Sequence, residues 1–187
     1  MIEIRSHGRG GQGAITSARV LAYAAVKEGR FGLASQSIQG DRRGAPVTAF
    51  TRISDAKIVA RCPITNPDYL IVLDPTLILA LDLESDLKSE GEIVINAAKD
   101  LGFKHKTTYV DATSISLKYL GRPVVNTAML GAFAAATGIV RLDSVVAAAE
   151  EMLAHRLDGK EMAANTAAIR EAYEEVIRGG VHPGRHS

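Results

Sequence analysis

The sequence has one cysteine, no tryptophan and a net charge of only +1. Cys62 alone cannot close an internal disulfide or form a CxxC metal knuckle, and it cannot hold an iron–sulfur cluster, which usually takes about four thiolates. Any such cluster would have to lie on another chain, and no metal site is expected here. The aromatic content is five Tyr and four Phe, too sparse for the stacking platforms of single-stranded nucleic-acid binders. A near-neutral chain also lacks the basic excess that phosphate backbones demand. There is no basic segment followed by an apolar run at the start, and no apolar stretch of about 18 residues, so neither secretion nor membrane spanning is supported. A cytoplasmic location is expected.

What is present suits one globular core: 187 residues, of which 47% are hydrophobic. Periodicity predicts strands at Ile2–Ser6, Arg30–Ser37, Val47–Ile53, Lys57–Arg61, Tyr69–Leu73, Ile93–Asn96 and Thr107–Asp111. The Ser54-Asp55 pair predicts a hairpin turn between the third and fourth of these. Helices are predicted at Ala14–Lys27, Leu77–Leu87, Ala112–Leu120, Thr127–Thr137, Ser144–His155 and Glu161–Arg178. YLIVL (Tyr69–Leu73) is a continuous apolar run, as expected of a strand buried on both faces of a parallel sheet. The expected fold class is α/β, a three-layer α/β/α sandwich with a Rossmann-like, mostly parallel sheet and a β-hairpin extension. A single domain over 1–178 and a flexible tail over 179–187 complete the expectation.

The first strand runs into HGRGGQG (His7–Gly13) and then directly into a helix. Gly8, Gly10 and Gly13 fit GxGxxG at the place where glycines permit a tight turn and bring backbone N–H groups to an anion. The dinucleotide fingerprint also requires an acid roughly 20 residues on. That stretch reads Phe31-Gly32-Leu33-Ala34-Ser35-Gln36, and Asp41 comes too late. Three readings therefore stand: a dinucleotide site, glycines that only let strand and helix pack closely, and an exposed contact site in which Arg9 and Gln12 hydrogen-bond a phosphate or a partner's carboxylate.

A second constellation is Asp41-Arg42-Arg43-Gly44-Ala45-Pro46. Adjacent guanidinium groups can clamp phosphate or carboxylate, or simply stand solvated. Asp74-Pro75-Thr76 and Asn126-Thr127 fall where strands give way to helices, with capping the favoured role for Asp74 and Asn126. His7, His105, His155, His182 and His186 are scattered, without an HExxH or GxSxG motif, so a self-contained hydrolase lacks support.

Three ordered motifs, HGRGGQGAITSARVLA (His7–Ala22), GDRRGAPVTAFTRI (Gly40–Ile53) and NPDYLIVLDPTL (Asn66–Leu77), resemble the gamma subunit of 2-oxoacid:ferredoxin oxidoreductases. NTAMLGAFAAATG (Asn126–Gly138) and Lys160–Asn165 extend the resemblance over nearly the whole chain. It implies a non-catalytic subunit of an anaerobic-type enzyme that decarboxylates a 2-oxoacid, transfers the acyl group to coenzyme A and reduces ferredoxin. RRGAPV followed by DPTL is most similar to the pyruvate type, pyruvate synthase. The resemblance places thiamine diphosphate and iron–sulfur clusters on partner alpha, beta and ferredoxin-like delta subunits, with ferredoxin as acceptor and no cofactor bound by this chain alone. It assigns the chain a lid or docking role, with Arg9, Gly10, Gly11, Gln12, Gly13, Arg42 and Arg43 meeting coenzyme A or a partner. A free-standing Rossmann-like nucleotide-binding module is the alternative.

Overall fold

A computed structural model describes residues 1–37, 44–60 and 62–179. Six strands form one sheet: β1 (Ile2–Arg9), β2 (Phe31–Gln36), β3 (Pro46–Ser54), β4 (Tyr69–Val72), β5 (Glu92–Asn96) and β6 (Lys106–Val110), in the order β2-β3-β1-β4-β5-β6. From β1 to β6 the pairing is parallel; β3 runs antiparallel to both β1 and β2. The fold is thus a three-layer α/β sandwich with a mostly parallel sheet. β1 is central, which explains its long buried run from Ile4 to Gly8.

Five helices, α1 (Ala14–Lys27), α2 (Ala112–Leu120), α3 (Ala128–Thr137), α4 (Leu142–Leu153) and α5 (Gly159–Ile177), form one layer. Their core contains Ile4, Ile71, Leu73, Val94 and Val110 from one sheet face, with Leu21, Met129, Phe133 and Ile169 from the helices. Asp158 and Glu161 cap α5 reciprocally, a capping box that satisfies two backbone donors at once. Small residues make the helix layer tight. A Cβ at Gly32 would lie 2.0 Å from Ala22 O, so the backbone of α1 rests directly on β2.

The opposite face is covered differently from expectation. Leu70, Val72, Ile93 and Ile95 meet Leu83 and Leu87, yet Leu77–Leu87 is not an α-helix. A five-residue 3-10 turn, Pro75–Leu79, is followed by turns and irregular chain. Leu77, Leu79, Leu81 and Leu83 recur every second residue, which does not build the single stripe of an amphipathic helix. Two buried arginines pin the irregular layer. Arg52, 2% exposed, donates to Glu3 Oε1 at 2.8 Å and to Ala60 O, and Arg5 pairs with Asp86 at 3.0 Å.

The hairpin expected at Ser54-Asp55 is also corrected. Residues 57–60 are not a strand, and Arg61 lies outside the described residues. Both sides of β3 are taken, by β1 and β2, so a strand following Ser54 has no edge of β3 to join. The antiparallel extension is instead the β2–β3 pair, in register from Phe31↔Ser54 to Gln36↔Ala49.

Candidate functional site

The glycine turn sits at the C-terminal end of β1, beside the ends of β4 and β5, where open α/β sheets form ligand crevices. Gly11 and Gly13 take the left-handed conformation, with φ of 94° and 81°. A Cβ at Gly13 would also lie 2.5 Å from Asn126 Nδ2. Gly13 therefore serves both the turn and the close approach of the segment before α3. α1 begins there without a side-chain cap and without an acid in its first turn, so its N-terminus offers unsatisfied N–H groups and positive potential.

Arg9 and Gln12 do not point away from the protein. Gln12 Oε1 accepts from Arg9 N at 2.7 Å, and Gln12 Nε2 donates to Asp74 Oδ2 at 2.8 Å. Arg9 Nε reaches the same oxygen at 3.2 Å, while its terminal nitrogens donate to Gly44 O at 3.2 Å and Thr76 Oγ1 at 2.7 Å. Backbone bonds from Gly10 N to Ala45 O and from Gly44 N to Gly10 O tie the turn to the start of β3. Arg9 and Gln12 thus brace the turn, leaving its backbone as the outward-facing part. Arg42 and Arg43 lie outside the described residues; Gly44, directly after them, belongs to this bonded network.

Asp74 combines two roles. Its Oδ1 caps the 3-10 turn, accepting from Thr76 N at 2.9 Å and Thr76 Oγ1 at 2.6 Å. Burial raises the pKa of its carboxyl, but hydrogen bonds from Thr76 and Gln12 and the charge of Arg9 outweigh burial and hold it below the usual value. Capping thus holds for Asp74, yet Asn126 does not cap. α3 begins after Thr127 with no side-chain cap, and the buried Oδ1 of Asn126, on a residue 7% exposed, has no hydrogen-bond partner. Asn126 lines a crevice of about 140 Å³ with Thr16, Thr127, Arg122, Arg156 and Asn165. Arg122 faces Glu161 at 3.4 Å; among the described residues Arg156 has no carboxylate partner. Glu161 shares this lining, and the unpartnered amide oxygens of Asn126 and Asn165 are acceptors, so the crevice presents acceptors as well as cations.

His7 is buried at 5% exposure, with Nε2 unpartnered and Nδ1 3.5 Å from Thr48 Oγ1. Burial first, and the nearby Arg5 second, bring its pKa from 6.5 to about 4, so it is neutral at physiological pH. Among the described residues, no three His, Cys, Asp or Glu side chains converge to hold a metal ion. No described helix is long and apolar enough to cross a membrane.

The family model for pyruvate ferredoxin/flavodoxin oxidoreductase matches residues 3–175. The chain belongs to this family. Within it, the pyruvate synthase subunit PorC of Methanocaldococcus jannaschii is 50% identical over 179 residues, covering 95% of this chain and 98% of that relative. The gamma subunit common to the pyruvate and ketoisovalerate oxidoreductases of Pyrococcus furiosus is 46% identical, covering 94% and 97%. The crystal structure of the pyruvate oxidoreductase subunit PORC of Thermotoga maritima superposes with a TM-score of 0.81 at 38% identity, covering 92% of this chain and 95% of that one. In this family member the features that sequence reasoning missed are the bracing Asp74 and the Gly13–Asn126 contact. Both join segments more than 60 residues apart, and only the fact that Asp74 and Asn126 precede helices hinted at either.

Proposed function

We propose that this chain is the gamma subunit of a cytoplasmic 2-oxoacid:ferredoxin oxidoreductase of the pyruvate type. The complex converts pyruvate and coenzyme A to acetyl-CoA and carbon dioxide, with electrons passing to ferredoxin. The observation that carries the reading is the braced glycine turn in a family member: α1 starts there with no side-chain cap and no acid in its first turn.

The chain has the role of a docking and lid subunit that receives part of coenzyme A. The backbone of Gly10, Gly11 and Gly13 and the start of α1 meet its phosphates, Arg42 and Arg43, directly before Gly44 in the sequence, add charge, and Arg9 and Gln12 hold the turn in shape. Thiamine diphosphate and the iron–sulfur clusters belong to alpha, beta and delta partners. Cys62 offers one thiolate, a donor set that does not fit a cluster. Thiamine diphosphate supplies the carbanion chemistry when bound to its own subunit, and no catalytic residue is assigned to this chain. The Pyrococcus relative is named as common to two oxidoreductases, which supports substrate selection in other subunits.

Activity of separated and reassembled subunits tests the proposal. The purified chain is expected to leave pyruvate unoxidised with a dye acceptor, and co-expression with the partner subunits to produce coenzyme-A-dependent oxidation. Pyruvate oxidation by the chain alone would overturn the reading.

A further inference from the structure

Among the described residues the sheet ends at β2, and no strand pairs with its outer side. Ser37 donates its N–H to Thr48 O on β3 at 3.0 Å. Backbone groups alternate sides along a strand, so Ser35, Leu33 and Phe31 face β3 as Ser37 does, while Gly32, Ala34 and Gln36 turn their N–H and C=O groups outward. Among the described residues nothing hydrogen-bonds to those outward groups. Edge strands are ordinarily guarded by charge or proline. The β2 segment FGLASQ has neither.

A groove of about 440 Å³ runs beside this edge, lined by Ala22, Tyr23 and Val26 of α1, Ala34 of β2 and Met152 of α4. Val26 is 44% exposed, which adds apolar surface to the groove. The groove's carboxylate, Glu151, is engaged by the Tyr23 hydroxyl and by Lys27 at 2.6 Å. Arg19, also on the groove, is exposed and has no carboxylate partner among the described residues.

We propose that β2 receives an extended segment of a partner subunit as a seventh strand, with alternate apolar side chains seated in the groove and a carboxylate facing Arg19. Main-chain hydrogen bonds to Gly32, Ala34 and Gln36 supply the attachment, and the groove and Arg19 supply the selectivity. The proposal rests on the reading of this chain as a subunit. A second copy is the weaker occupant: it brings another unpaired Arg19, and its Glu151 is already engaged.

Ala34→Pro tests the edge. It removes an outward N–H and leaves the ladder to β3 intact, as proline does on edge strands. The isolated full-length variant is expected to keep a wild-type unfolding transition, while its recovery with co-expressed partner subunits falls at least tenfold. Ser35→Pro, whose N–H faces β3, is expected to impair folding itself. Hydrogen exchange on the wild-type chain, free and assembled, supplies the second readout: the amides of Gly32, Ala34 and Gln36 are expected to slow at least tenfold on assembly. Unprotected β2 amides in a properly assembled complex would overturn the docking strand and leave the subunit reading standing. Failure of the wild-type chain to join any subunit would overturn both. A wild-type homodimer abolished by Ala34→Pro would assign the edge to a second copy and refute the partner strand.

Discussion

Gln12 Nε2 donates to Asp74 Oδ2 at 2.8 Å, joining the glycine turn after β1 to the end of β4 across 62 residues of sequence. Arg9 reaches the same oxygen, so one carboxylate organises both polar side chains of the turn.

Asp74→Ala is therefore expected to destabilise the chain by about 2 kcal/mol, the usual scale for losing charge-assisted hydrogen bonds that are partly buried. A double-mutant cycle with Gln12→Ala should give a coupling of roughly 1 kcal/mol in urea denaturation. Strict additivity would show that the two side chains act independently. Because the carboxyl pKa is lowered in the folded state, this stabilisation is present above the ordinary carboxylate range and is lost as pH falls through the lowered value.

Gly13→Ala places a side chain at φ 81° and against Asn126. A loss of about 2 kcal/mol is expected from left-handed strain and crowding together. Asn126→Ala added to Gly13→Ala should recover only the crowding part in thermal melts. Complete recovery would mean that backbone strain contributes nothing.

His7 predicts a pH dependence with the opposite chemistry from Asp74. Its folded pKa of about 4 lies below the ordinary 6.5, so only the unfolded chain takes up a proton between those values. This group thus removes stability as pH falls from about 6.5 toward about 4, by on the order of 3 kcal/mol in total. His7→Gln should flatten that decline in urea unfolding measured at pH 7, 5.5 and 4.5. An unchanged slope would show that His7 is not responsible.

In the assembled enzyme, Arg42→Ala and Arg43→Ala are expected to raise the KM for coenzyme A about tenfold, the scale of one charged contact, and to leave that for the oxoacid nearly unchanged. Equal effects on both substrates, or loss of assembly, would assign these arginines to the subunit interface instead.

Local pattern was enough for much of the fold. α1 follows from the spacing of Ile15, Ala18, Leu21, Ala22 and Ala25 on one face, ahead of the stop at Gly29, and β4 from the unbroken apolar run at Tyr69–Leu73. The glycine turn was visible for the same reason, since strand, glycines and helix are neighbours in the chain. The absence of an acid near residue 36 already weakened a dinucleotide reading.

Tertiary structure decided where the side chains of that turn go and where strands can pair. Arg9 and Gln12 turn inward because Asp74 arrives just past the end of the next parallel strand, and a hydrogen bond across that distance has no local signature. Asn126 leaves the capping role because α3 brings it against Gly13. The hairpin after Ser54 fails because β1 and β2 occupy both sides of β3, and residues 77–87 stay largely irregular while Leu83 and Leu87 pack on the sheet. Composition and periodicity by themselves determined an α/β chain with a glycine turn opening its first helix. Long-range contact made that turn a braced backbone surface, because hydrogen-bond partners and free strand edges exist only once distant segments meet.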